Sequence, residues 1–318
     1  MSKGAHSGHR SIYDTNPLHL PFVPLCGPIR HFPRGSPLMT PSVSWPQNDA
    51  FDPRSLRETV LAMARAGNTG HVGCAFSIVE IMAVLYRSFV RYPGGDPRHP
   101  DRDYLVLSKG HGVMAQYACM RELGWLNDKE HIERYFGDGS DLMGLSDSRT
   151  PGLEVSSGSL GHGFSVGVGI AEGLRRRGTD QRVFAIVGDG ELNEGPIWEG
   201  MLFASHNKLS NLMMIVDANG FQAMGRTDDV MELGSIRQKL ESFGFETADV
   251  DGHDQGALET AIRTLIASNS PRPKALVAKT IKGKGVPFME HDNQWHYRHL
   301  SAQDYEASIE ALRAEVAL

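Results

Sequence analysis

The chain has 318 residues, 40% of them hydrophobic, and a formal net charge of −6. The length is a soft prior for about two domains, with ample apolar material for a core. The acidic balance, with no basic cluster beyond Arg175-Arg176-Arg177, argues against nucleic-acid binding; that triplet reads as a solvated helix end. No apolar run approaches a membrane span.

The first 50 residues hold 8 of the 17 prolines and show no sustained periodicity. They read as a disordered or loosely attached Pro-rich tail. They lack the charged start and unbroken apolar run of a signal peptide. Met39, just before the globular pattern, is a second candidate start. Cys26, Cys74 and Cys119 show no metal-ligand or redox spacing and fit a reducing cytoplasm, the last two as core residues.

From Phe51 onward, helices and strands alternate. Periodicity predicts helices over 54–65 and 77–89, a strand over 104–107 and a helix over 111–123. The next helix, 160–176, is Gly-rich. Its Gly161, Gly163, Gly167, Gly169 and Gly173 suggest close packing or cofactor approach. Two continuous apolar runs follow, Val183–Gly188 and Leu212–Asp217, joined by a helix over 194–208. Beyond them come a helix over 236–243, a strand over 246–250 and a helix over 255–267. A last strand over 275–280 runs into Lys282-Gly-Lys-Gly285. The pattern is one doubly wound, mostly parallel α/β domain over 51–318, with no internal repeat.

The most informative feature is the pair of motifs ending the two apolar runs. The first run ends in Gly188-Asp189-Gly190, and Asn219 follows the second, 30 residues on. Short, continuous, β-rich runs read as buried parallel strands. A strand-helix-strand unit places both strand ends on one edge of the sheet, where open α/β sheets bind ligands. Asp189 and Asn219 then offer two oxygens to one hard cation, with phosphate and water completing the shell. The flanking glycines let backbone approach phosphate closely.

Four histidines stand beside turn-forming residues. They are His71 in Thr69-Gly-His-Val-Gly73, His111 in Leu107-Ser-Lys-Gly-His-Gly112, His253 in Asp251-Gly-His-Asp254, and His296 in Trp295-His-Tyr297. Loop histidines at strand ends can donate to hydroxyls and phosphates or relay protons near neutral pH. His253 reads as part of a structural turn.

With these pieces assembled, the chain resembles the N-terminal, diphosphate-binding half of transketolase, and more closely the N-terminal subunit of a split, two-chain transketolase. The resemblance runs from about Phe51 to His299. It rests on the motifs above, on Ser157-Gly-Ser-Leu-Gly161 and Gly188-Asp-Gly-Glu-Leu-Asn-Glu-Gly195, and on Asp217-Ala-Asn-Gly220 and Lys279-Thr-Ile-Lys-Gly-Lys-Gly285. It implies that Asp189, Asn219 and the Phe221 carbonyl hold Mg²⁺ (or Ca²⁺ or Mn²⁺). Gly190 would then meet the diphosphate of thiamine diphosphate, beside Gly188. It further implies that Gly158 and Leu160 contact the cofactor's reactive end. His71, His111 and His296 would line the approach to it as catalytic groups, and Glu194 would couple two active sites through a subunit interface.

Two departures from the family pattern stand out. Split transketolases carry Gly-His-Pro-Asp shortly before the Ser157-Gly158 motif, where this chain has Gly144-Leu-Ser-Asp147; Leu145 thus replaces a histidine expected to contact donor hydroxyls. His162 stands where the family usually has Gln. The domain that carries the family's cofactor-activating glutamate does not follow before Leu318, so a separate C-terminal subunit is expected to supply it, in an α2β2 assembly.

The resemblance therefore implies a cytoplasmic enzyme subunit for two-carbon ketol transfer from a ketose-type donor to an aldose-type acceptor. The alternatives are another thiamine-dependent, acyloin-forming carboligase, which Leu145 keeps open, and a non-catalytic cofactor-binding subunit, which the intact Asp189, Asn219, His71 and His111 set disfavours. The His71 and His111 motifs also disfavour a 2-oxoacid dehydrogenase α subunit.

Overall fold

The computed structural model describes Met1 and residues 51–314. The Pro-rich tail, Met39 and Cys26 lie outside the described residues. The helices are α1 (Pro53–Ala66), α2 (Val72–Phe76), α3 (Val79–Ser88), α4 (Val113–Glu122), α5 (His162–Arg177), α6 (Gly195–His206), α7 (Thr227–Met231), α8 (Ile236–Ser242), α9 (Gln255–Ala267) and α10 (Ala302–Ala314). The strands are β1 (Tyr104–Leu107), β2 (Val183–Gly188), β3 (Leu212–Ala218), β4 (Phe221–Gln222), β5 (Gly225–Arg226), β6 (Glu246–Asp251) and β7 (Lys274–Lys279).

Five strands form one parallel sheet in the order β1-β2-β3-β7-β6, as the doubly wound reading expects. Alternation along each strand feeds two cores. Leu105, Phe184, Ile186, Ile215 and Leu276 face one side, against α1, α3, α4 and α9. Val106, Ala185, Val187, Met214 and Val277 face the other, against α5, α6 and α8. Burial on both faces is why these strands read as continuous apolar runs.

Local chemistry sets the helix ends. Pro53 opens α1, and the Asp52 carboxylate accepts from the Ser55 N–H at 2.9 Å. Asp254 caps α9 through the Ala257 N–H at 2.9 Å. Gly178, at φ +69°, closes α5 in the left-handed conformation open to glycine. In the basic triplet just before it, Arg175 and Arg176 pair with Glu172.

The expected elements appear in the expected order, and the structure adds α2, α7, α10 and the β4–β5 hairpin. The helix expected over 77–89 begins at Val79. A short helix, α2, precedes it, launched by His71 at φ +67°. The expected start at 160 falls at His162, because Gly161 at φ +85° turns the chain first. Of the α5 glycines, Gly163 does pack closely: a Cβ there would lie 2.6 Å from the Ser108 Cα. Gly169 and Gly173 face open space instead. Among the described residues, no helix is long and apolar enough to cross a membrane.

A buried ionic chain ties α1 and α3 to the β6–α9 turn. Arg57 donates twice to Glu80, at 2.7 and 2.9 Å. The His253 Nδ1–H donates to Glu80 at 2.9 Å, while Nε2 accepts from the Ile281 N–H at 2.8 Å. His253 therefore is structural, as the sequence suggests, and it also holds the chain just before Lys282. Burial alone would raise the Glu80 pKa; the Arg57 charge and the His253 hydrogen bond outweigh it and hold it at about 2.

Glu80→Gln should cost about 3–5 kcal/mol, because it leaves the Arg57 charge buried without its partner. A depressed carboxyl pKa contributes stability above its unfolded value that is lost as pH falls through the folded value. Urea unfolding should therefore show a gap between wild type and variant that is full near pH 7 and closes as the pH falls from about 4 toward 2.

Candidate functional site

The carboxyl ends of four neighbouring strands converge. β1 leads to Lys109 and His111, β2 to Asp189, β3 to Asn219, and β7 to Lys282. Together with His71, Gly158, Leu160, Gly188, Gly190, Glu194, Phe221 and His296 they line one cavity of about 490 Å³. Every site residue expected from the sequence borders this space. A second cavity of about 660 Å³ adjoins it and shares His71, Leu145 and Gly158.

At the floor lies a buried ion pair. The Lys109 ammonium donates to Asp217 and, at 3.1 Å, to the Cys74 carbonyl. Asp217 also accepts from Ser77 and Asn219, each at 2.8 Å, and from Thr280. Burial opposes ionisation of Asp217, but Lys109 outweighs it and the pKa falls below the usual range.

Asp189 sits differently. Its carboxylate accepts from the Gly190 N–H at 2.8 Å and the Gly220 N–H at 2.6 Å. Burial, with Asp217 beside it, pushes its pKa up to about 7 despite those donors. Among the described residues it makes no ion pair, and the Lys109 charge opposes the rise only as a lesser influence. Among the described residues the Asn219 side-chain oxygen accepts the Phe221 N–H alone, at 3.0 Å. Asp189, Asn219 and Phe221 line the same cavity, and a carboxylate, an amide oxygen and a main-chain carbonyl are the oxygen types that suit a hard divalent cation. The residues therefore fit the Mg²⁺ and diphosphate that the sequence implies.

His71, His111 and His296 form a triangle with ring centroids 5.3–5.6 Å apart. The Lys282 Nζ donates to the His296 Nδ1 at 2.9 Å and to Asn293 at 2.8 Å. The His71 N–H donates to the His296 carbonyl at 3.0 Å. All three rings have lowered pKa values, by burial first. The Lys282 charge is next for His71 and His296, and the Lys109 charge for His111. His296 falls to about 3. Near pH 7 the rings are neutral donors and acceptors.

Glu191, Lys109, Asp217 and Lys282 carry this geometry, although sequence reading gives them no role. Glu191, 1% exposed, accepts from Ser108, from the Gly161 N–H at 2.7 Å and from the Gly188 N–H at 3.1 Å. It thus joins three of the loops. The signal lay in the motifs, since each of these four residues stands inside one of them. Cys74 and Cys119 are buried free thiols, as expected, and Cys74 borders the cavity. Glu194 and His162 are exposed, Glu194 at the cavity rim.

An α/β sheet edge that combines a diphosphate-type glycine turn, an oxygen donor set and a neutral histidine triangle defines a cofactor-binding enzyme domain. Residues 54–316 match the family described as transketolase, thiamine diphosphate binding domain, and the chain belongs to that family. It is 33% identical over 253 residues to one of the subunits of an apulose-4-phosphate transketolase from Phocaeicola vulgatus, covering 80% of this chain and 89% of that one. It is 34% identical to 6-deoxy-6-sulfo-D-fructose transketolase subunit SqwG of a Clostridium species, covering 77% and 89%. The transketolase crystal structure from Campylobacter jejuni superposes with a TM-score of 0.75 at 25% identity, covering 82% of this chain and 42% of that one. The chain thus spans nearly all of the two subunits but about two fifths of that transketolase.

The Gly110 position generates a direct test of the assembly. A Cβ there would lie 2.3 Å from the Ser157 carbonyl oxygen, a backbone atom with nowhere to go. Gly110→Ala should destabilise the fold by about 1–3 kcal/mol. It should also part the His111 turn from the Gly158 segment, seen as faster amide exchange confined to those two loops.

Proposed function

We propose that this chain is the N-terminal subunit of a two-component, transketolase-type enzyme. With a C-terminal partner, thiamine diphosphate and Mg²⁺, it transfers a two-carbon unit from a carbonyl donor to an aldehyde acceptor. The observation that carries the reading is the one cavity lined both by Asp189, Asn219 and Phe221 and by the neutral histidine triangle. The family resemblance gives the transferred unit as a ketol from a ketose-type donor, with an aldose-type acceptor. A second reading, acyloin-forming carboligation, is favoured by Leu145 at the junction of the two cavities.

Thiamine diphosphate, when bound, supplies a carbon nucleophile and an electron sink for its substrate. The protein's own groups do the rest. Asp189, Asn219 and the Phe221 carbonyl would hold the cation, and Gly188 and Gly190 would admit the diphosphate. Gly158 and Leu160 would border the reactive end. His71 and His111 would hold or move protons at substrate oxygens, each contributing ~10²–10⁴-fold if it acts as a general acid or base. His296, braced by Lys282, would fix the other two by contact.

Support for a partner comes from the rim. Met224, Met231 and Tyr297 border the cavity and are 76%, 60% and 62% exposed. Such an apolar rim is more often an interface than free surface. The relatives named as transketolase subunits point the same way. An α2β2 assembly, with Glu194 coupling two sites, belongs to the same proposal. So does a cytoplasmic location, which rests on the buried free thiols.

Asp189→Ala should abolish measurable thiamine diphosphate and Mg²⁺ binding in calorimetric titration of the assembled enzyme, since one of few protein anchors is gone. Unchanged affinity would refute the metal assignment. The isolated chain should show no carboligation until its partner is added. Robust turnover by the purified chain alone would contradict the two-component reading.

A further inference from the structure

The two cavities meet at His71, Leu145 and Gly158. The two sides of this junction differ in chemistry. One side is the triangle of His71, His111 and His296, rich in ring nitrogens. The other is Leu145, which is 42% exposed and faces the open space. Its Cδ1 lies 2.7 Å from where a Gly158 Cβ would stand, so leucine fills the space that Gly158 leaves.

Two of the neighbouring serines are committed to backbone. Ser146 donates its hydroxyl to the Val155 carbonyl at 2.8 Å, and Ser157 donates to the Leu107 carbonyl at 2.6 Å. Both are buried. Gly144 and Gly158 have no side chain to offer. Phe136 and Met143, 50% and 36% exposed, extend the apolar wall outward. At Leu145 itself a donor hydroxyl therefore meets an apolar side chain that offers no hydrogen bond, while Asn68, Thr69, Asp147, Ser156 and Ser159 line other parts of the outer cavity.

We propose that this site takes a donor with no hydroxyl on the carbon next to its reacting carbonyl. The class is a 2-oxo acid that delivers an acetyl unit, in place of one that delivers a hydroxyacetyl unit. The inference rests on the thiamine diphosphate reading above and names the donor for that same site. The reaction balances without an oxidant. The bond from the carbonyl carbon to the carboxylate breaks and carbon dioxide leaves. The electron pair left behind forms the bond to the aldehyde carbon of the acceptor. The aldehyde oxygen takes up a proton.

Pyruvate and β-hydroxypyruvate differ only in the hydroxyl at issue. The complex with its second subunit, thiamine diphosphate and Mg²⁺ is assayed with each, using glycolaldehyde as the common acceptor. Carbon dioxide release and product formation are both followed. The ratio of kcat/KM values should favour pyruvate by about 10- to 100-fold, the range a hydrophobic pocket achieves against an added hydroxyl. Leu145→His should cut that ratio at least tenfold, and the volume-conserving Leu145→Met should keep it. A wild-type preference for β-hydroxypyruvate would overturn the proposal. So would an unchanged ratio in a folded Leu145→His complex. Carbon dioxide from neither donor, with thiamine diphosphate bound by calorimetry, would overturn the donor class alone. Failure to bind thiamine diphosphate would overturn the cofactor reading beneath it.

Discussion

The buried pair between Lys109 and Asp217 is the contact on which the site depends. Lys109 follows β1 and Asp217 lies in β3, so the pair reaches across β2, whose end carries Asp189. Asp217 collects Ser77, Thr280 and Asn219 as further donors. One carboxylate thereby fixes the α2–α3 junction, the end of β7 and the side chain of Asn219. A buried pair of this kind gives little net stability over an apolar substitute. Its effect here is positional, because losing either member leaves the other charged and unpaired at the floor of the cavity.

The same pair shapes the electrostatics above it. Lys109 and Lys282 lower the pKa values of the histidine rings, in addition to burial. Lys282 is itself lowered by burial first, with Lys109 opposing its charge as well. The cavity therefore joins fixed cations at its base to neutral imidazoles at its wall. An anionic group is attracted to the former, and a carbonyl or hydroxyl can hydrogen-bond to the latter without a full charge beside it.

The strands were legible as apolar runs, and the motifs holding Lys109, Asp189, Asn219 and Lys282 were placed at one edge because each follows such a run; the His71, Gly158 and His296 motifs follow no strand and reach the cavity only through the folded loops. A parallel sheet brings such ends to one edge, whatever the loop lengths between them. The roles of Asp217, Glu191 and Lys282 were not legible, because they depend on partners far along the chain. Lys109 stands 108 residues before Asp217, and Ser108 stands 83 before Glu191. Nor does periodicity register a single left-handed residue. His71 and Gly161 each redirect the chain at one positive φ, so α2 went unpredicted and α5 starts late. The β4–β5 hairpin is two residues per strand, too short for alternation to show.

Leu145 and Gly158 illustrate the limit of reading residues singly. The sequence displays a leucine in one loop and a glycine in another, 13 positions apart. Each alone is ordinary at a surface turn. The structure makes them one feature, since the leucine tip occupies the volume a side chain at 158 would need. A change at either position is therefore a change in the wall that a donor meets, and their effects should not be additive. Polar replacement of Leu145 adds a hydrogen-bonding group where Gly158 leaves room for it. The same replacement beside a larger residue at 158 would have no such room.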